Sequence, residues 1–238
     1  MVYFRVLMMA GLLSIGSAAS GISHNPQVRG NSLAFSNVLG DRSVSALRLR
    51  GGSDVKEAAT GILFPKELVS GSNTLTFLGA GERKKAIFGP LAVNVYAIGL
   101  YVDSELAKTA GPGADAAETL ITGAFPKALR LVMARAVSAD KIGDALADQI
   151  EPRIKGTDAP LEEFKGFFKA MASLEAGQEI LFAIDGAEML VTAPGGTRAF
   201  ESRALCDALL HVYLGEEPVS PTAKAAMVHG FVALTAPA

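Results

Sequence analysis

The chain has 238 residues, half of them hydrophobic, with 22 basic against 24 acidic side chains. That length fits one large domain once leader sequence is set aside, the apolar content excludes disorder for most of it, and a net charge of −2 excludes a phosphate-tracking nucleic-acid binder. A single cysteine, Cys206, excludes a disulfide framework and a cysteine-rich zinc site, and His24, His211 and His229 are too scattered for a short metal-ligand motif.

Residues 1–20 read as an export signal. Arg5 supplies a short basic start, residues 6–13 an apolar core, and Ser17-Ala18-Ala19-Ser20 small residues suited to cleavage. Residues 21–55 read as a transit peptide or disordered linker, rich in Ser, Asn, Gly and Arg. The first 53 residues hold five arginines and one acid, Asp41, whereas residues 54–238 hold 17 basic and 23 acidic side chains. A signal followed by a basic, acid-poor stretch points to import into a plastid bounded by extra membranes, with a secreted or endomembrane protein as the alternative. The folded domain is expected over residues 56–238, and no apolar run reaches the roughly 18 to 20 residues that span a bilayer.

Residues 75–78 predict a short strand, followed by a polar turn over 79–85. Residues 91–102 predict a strand, because β-branched and aromatic residues and Gly99 disfavour a helix. Period-two alternation places Tyr96, Ile98, Leu100 and Val102 on one face and Val93, Val95, Ala97 and Tyr101 on the other, both apolar enough to require cover. Gly111-Pro112-Gly113 marks a loop. Residues 129–137 predict a strand with Leu129, Leu131, Met133 and Arg135 on one side, and Ser138 is a candidate cap for a helix carrying Ile142, Leu146 and Ile150 up to Pro152. A second helix starts near Pro160, with Asp158 or Ala159 at its cap and Leu161, Phe164, Phe168 and Met171 as its stripe. Asp185-Gly186 between two apolar runs predicts a two-residue hairpin, ended by Pro194-Gly195-Gly196. Helices follow over about 202–214, stopped by Gly215, and about 221–234, capped by Ser220. The order is that of an α+β domain and not the alternation of a doubly wound sheet.

Few constellations carry chemistry. Gly79-Ala80-Gly81 lacks the third glycine and the following helix of a dinucleotide site, and no Walker A motif or GxSxG elbow is present. Cys206 shares a helical apolar stripe with Leu205 and Leu209, which reads as a buried structural thiol.

Two separated runs resemble one known family. Phe77-Leu78-Gly79-Ala80-Gly81-Glu82-Arg83-Lys84-Lys85, continuing through Val95-Tyr96-Ala97-Ile98-Gly99-Leu100-Tyr101-Val102, resembles the chalcone isomerase superfamily, as do 204–210, Tyr213-Leu214-Gly215 and Pro218-Val219-Ser220. The resemblance covers about residues 60–235. It implies an α+β fold, a large antiparallel sheet covered by a layer of helices with a ligand cleft between them. The superfamily holds isomerases that cyclise chalcones to flavanones and non-catalytic relatives that bind fatty acids, several of them in plastids.

Position by position the chain resembles the binders. Arg83 matches the arginine of both branches, while Tyr96 stands where the isomerases carry threonine and the binders tyrosine. The isomerase pattern has a tyrosine at the start of the helix after the 129–137 strand and an asparagine seven residues on. An ungapped alignment puts Ser138 and Ala145 there, and Val212 where a polar group is expected on the 202–214 helix. The implied function is a non-catalytic fatty-acid-binding protein with Arg83 and Tyr96 as ligand-binding residues. Arg83 offers a planar fork for a carboxylate, or another apolar acid's, and Tyr96 adds a hydroxyl donor beside an apolar wall. A tail of about 12 carbons offers on the order of 10 kcal/mol gross at about 0.8 per methylene, before ordering and association costs. The alternatives are an intramolecular lyase of the chalcone isomerase type and a helper that binds polyphenols without turnover. No metal or redox cofactor is implied. Arg135, on an apolar face, is a weaker second candidate that reads better as half of a structural ion pair.

Overall fold

The computed structural model describes residues 53–70, 72–88 and 91–237. The signal reading of 1–20 and most of the 21–55 segment lie outside the described residues. The chain enters through a small antiparallel pair, β1 (Val55–Lys56) and β2 (Leu63–Phe64). Its turn is held by the buried Glu57 carboxylate, which accepts from Ala59 N at 3.0 Å and Thr60 N at 2.7 Å. Next come β3 (Glu67–Ser70), β4 (Asn73–Phe88) and β5 (Leu91–Val102), then two seven-residue helices, α1 (Ser104–Ala110) and α2 (Ala116–Thr122). β6 (Lys127–Met133), β7 (Val137–Ser138), α3 (Ala139–Ile150), α4 (Leu161–Lys169) and β8 (Ser173–Leu174) follow. The chain then runs through β9 (Glu179–Asp185), β10 (Glu188–Ala193), β11 (Gly196–Glu201), α5 (Arg203–Leu214) and α6 (Pro221–Thr235).

Seven strands form one sheet in the order β11-β10-β9-β6-β5-β4-β3, antiparallel throughout. Three register irregularities between β4 and β5 curl that pair. The helices cover one face, where Tyr96, Ile98, Leu100 and Val102 of β5 pack against α3, α5 and α6 in the larger apolar cluster. The other face carries Ala97 and Tyr101 beneath Phe64 and Leu68. The α+β expectation, the 91–102 strand and the cover on both of its faces therefore hold. Val95 is the exception to the alternation: Arg83 pairs with Tyr96 and Lys84 with Asn94, so Val95 is bulged and leans onto the helix-side core.

The expected turn over 79–85 is instead strand, and the reason is α6. A Cβ on Gly79 would lie 2.5 Å from the Ala226 carbonyl, and one on Gly81 only 2.4 Å from Ala223 N. The glycines are there because a helix backbone rests directly on the strand, and a turn is not what they encode. The Asp-Gly hairpin forms one residue later than expected. Asp185 pairs with Glu188, leaving Gly186 (φ +62) and Ala187 as the turn.

Pro194-Gly195 does not end the hairpin but makes a second tight turn, because Ala193 pairs with Gly196 and β11 follows. α1 and α2, absent from the sequence reading, begin at Asp103 and Asp115, whose carboxylates each accept two backbone N–H groups. α4 is capped by Pro160, whose carbonyl accepts from Phe164 N at 3.0 Å, and not by Asp158 or Ala159. α3, α5 and α6 start at Ser138, Ser202 and Ser220, as their spacing predicts.

Candidate functional site

β4 and β5 bring the two residues singled out in the sequence side by side. Arg83 and Tyr96 are direct cross-strand partners, so their side chains share the helix-facing side of the sheet. Gly79, Gly81 and Arg83 fall on that same face. The glycines admit α6, and Arg83 is the first long side chain beyond the helix start at Ser220.

The Arg83 guanidinium is half-buried, with Nη1 donating to Val219 O at 3.0 Å and to Lys84 O at 2.9 Å. These contacts occupy one nitrogen and leave the rest of the fork uncommitted to any carboxylate among the described residues. Glu82, the neighbouring acid, is engaged elsewhere: Lys84 Nζ lies 2.8 Å from its Oε1, and Thr222 Oγ1 donates to its Oε2 at 3.0 Å. The Lys84 hydrogen bond, foremost, holds the Glu82 carboxyl below the ordinary range. A surface pair between Arg83 and Glu82 is therefore not formed.

Tyr96 is 6% exposed, and its hydroxyl lies 3.0 Å from that of Tyr213, which is wholly buried on α5. Burial pushes both phenols above their ordinary range, and the nearby Arg83 charge offsets only part of that. Both are therefore O–H groups at neutral pH. In a hydroxyl pair one proton is shared between the oxygens and the accepting hydroxyl keeps its own, so the pair presents one O–H to a third group. Arg83, Tyr96 and Tyr213 together form a cationic, hydrogen-bond-donating corner on an otherwise apolar seam between Ile98, Leu100, Leu131 and Met133 on the sheet and α3 and α5 above it.

Tyr213 is the residue that sequence reasoning missed as a site member. The signal was available: Leu205 and Leu209 define the inward stripe of α5, and one further step of four gives Tyr213. Val212, the position expected to carry the polar group, is buried and apolar. Ala145 is on the exposed side of α3. Inward positions of that helix are Ala139, Ile142, Gly143, Leu146, Ala147 and Ile150, none with a polar side chain. Ser138 is half-buried, and its hydroxyl donates to Asp140 at the helix start.

Arg135 falls outside the site and outside β6, which ends at Met133; it is exposed and has no ion pair among the described residues. The strand's structural ion pair belongs to Arg130, 7% exposed, whose Nε and Nη2 lie 2.7 and 2.6 Å from Glu179 Oε2 on the opposite face of the sheet. Cys206 is buried with its thiol directed at Ala187 O (3.5 Å), and burial pushes it up to about 11, as expected of a structural thiol. Among the described residues no group of three or more His, Cys, Asp or Glu side chains is placed to hold a metal ion.

Residues 56–229 match the family described as chalcone isomerase-like. The chain is 33% identical over 196 residues to a chalcone–flavanone isomerase of Oryza sativa subsp. japonica, covering 69% of this chain and 83% of that one. It is 25% identical over 191 residues to fatty-acid-binding protein 1 of Arabidopsis thaliana, covering 71% and 67%. The crystal structure of an Arabidopsis thaliana fatty-acid binding protein superposes with a TM-score of 0.67 at 24% identity, over 77% of this chain and 99% of that one, which places the fold.

Proposed function

This chain belongs to the chalcone isomerase-like family, and we propose that within it the protein is a non-catalytic binder of a fatty acid, whose carboxylate is held by Arg83 and Tyr96 with Tyr213 in support. One observation carries the reading: a half-buried arginine with no acidic partner among the described residues stands beside two buried hydroxyls at the end of an apolar seam. A carboxylate supplies the charge that Arg83 lacks and accepts the O–H that the tyrosine pair has to spare. An alkyl chain matches the apolar side chains beyond it.

Ring closure of a chalcone asks for groups that orient and hold its phenolic oxygens. The inward face of α3 offers none. The similarity to a plant chalcone–flavanone isomerase keeps turnover as the competing reading. The composition of residues 1–55 supports delivery to a plastid.

The test is native mass spectrometry of the purified protein with extraction and identification of retained small molecules. A stoichiometric fatty acid is expected, lost in Arg83→Ala, reduced in Arg83→Lys, which keeps the charge without the planar fork, and reduced up to about tenfold in affinity in Tyr213→Phe. Unchanged retention in a folded Arg83→Ala protein removes Arg83 from the site. Flavanone formation from a chalcone by the wild-type protein replaces this reading with the isomerase.

A further inference from the structure

Beyond Tyr96 the sheet narrows to two strands. β6 reaches only Met133, opposite Tyr96, and β3 pairs with β4 no further than Thr76. From Lys84 onward β4 and β5 pair with each other alone, Lys84 with Asn94, Lys85 with Val93 and Ala86 with Ala92, as a ribbon projecting from the sheet edge. Its described end is exposed. Lys84, Lys85, Ala86, Leu91 and Ala92 all face solvent, and Leu91, at 61%, is the most exposed large hydrophobic among the described residues. No charged residue occurs from Ala86 to Val102.

We propose that this ribbon docks the protein onto an anionic lipid surface, with Leu91 entering the acyl boundary and Lys85 and Lys84 meeting the headgroups. An apolar end with lysines at its base is the distribution that an interfacial anchor requires. Charge supports this occupant. Residues 54–238 carry 17 basic and 23 acidic side chains, yet the ribbon from Lys84 to Asn94 holds two lysines and no acid, so it is a net basic part of an acidic domain, of the sign that a negative surface attracts. Lys84 is tied to Glu82, while Lys85 has no carboxylate partner among the described residues. A second copy is a poorer occupant, because strand pairing along the β4 edge would bring the lysines of two chains together. The ribbon begins at the register irregularity next to Arg83, so docking there sets the candidate carboxylate site beside the bilayer. The inference does not depend on the ligand reading: the ribbon can bind vesicles when Arg83 holds nothing, and the reverse.

The chain contains no tryptophan, so Leu91→Trp in the full chain supplies a single fluorophore at the ribbon. Leu190→Trp on β10, 39% exposed in the wild type, supplies a remote control. The probe surface is phosphatidylcholine vesicles containing phosphatidylglycerol, with brominated acyl chains as quencher. The expected result is a blue shift and quenching for Leu91→Trp and neither for Leu190→Trp. Partitioning should weaken about fivefold when Lys85→Gln is added, and should weaken further at high salt. Absence of quenching at position 91, equal quenching at both positions, or quenching insensitive to salt and to Lys85→Gln overturns the proposal. So does a blue shift without vesicles that grows with protein concentration, which assigns the ribbon to a second copy.

Discussion

Lys127 shows what a single side chain contributes to the balance of stability. It is buried at the start of β6, donating to Gly123 O at 2.8 Å beside the Phe125 ring, with no carboxylate in contact. Burial, with Arg203 adding repulsion, lowers its pKa to about 8 from the ordinary 10.5. Below pH 8 the folded and unfolded chains both hold the proton. Between about 8 and 10.5 the unfolded chain still holds it while the folded chain has released it. The unfolded state then binds more protons, and this lysine makes stability rise with pH across that window, by on the order of 3 kcal/mol in all. The buried tyrosines act oppositely above about pH 10, where the unfolded chain loses phenolic protons that the fold retains. Urea unfolding of wild type and Lys127→Met between pH 7.5 and 10 separates the two: the rise should be present in the first and flat in the second, and a parallel rise in both assigns it elsewhere.

At the scale of elements, the seat of α6 on β4 decides where Arg83 stands. The contact is backbone against backbone, since Gly79 and Gly81 leave no side chain between them and Ala223 or Ala226, and Gly230 on the helix meets Leu78 O in the same way. Gly81→Ala must therefore push the helix away, at an expected cost of about 2–4 kcal/mol, and shift the Val219 carbonyl that Arg83 Nη1 contacts. Gly166→Ala, inside α4 with nothing within 4 Å of the added carbon, should instead stabilise by up to about 1 kcal/mol through helix propensity and a less flexible unfolded chain. Thermal or urea melts of the two variants check the contrast, and equal effects would show that α6 does not rest on the strand in this way. The fatty-acid retention proposed for the wild type should fall in Gly81→Ala together with stability, which would tie the element to the site it positions.

The whole molecule joins a basic N-terminal segment to a domain with six more acidic than basic side chains. That asymmetry underlies the proposed route to a plastid. A fluorescent protein carrying residues 1–55 is expected to accumulate in plastids, one carrying residues 1–20 alone to enter the secretory route, and diffuse cytosolic signal from both would end the two-part reading. Among the described residues no helix is long and apolar enough to cross a membrane.

Local chemistry determined much of this protein. Apart from Arg83 and Tyr96, which only the family resemblance singled out, the serine caps of α5 and α6, the apolar stripes of α3 and α5, and the β5 strand with its two covered faces could be read from short windows, because each depends on periodicity or a single capping group. The same holds for the family, which two separated motifs carried. Other features needed the tertiary structure. Gly79 and Gly81 look like turn residues until α6 lies on them. Tyr213 looks like core until its hydroxyl meets Tyr96, 117 residues away in sequence. The ion pair expected of Arg135 belongs instead to Arg130, and Arg135 lies beyond the end of β6 at Met133. Which glycine is a seat, which tyrosine has a hydroxyl partner and which arginine lacks an acid are facts about neighbours distant in the chain, and a one-dimensional pattern holds no record of them.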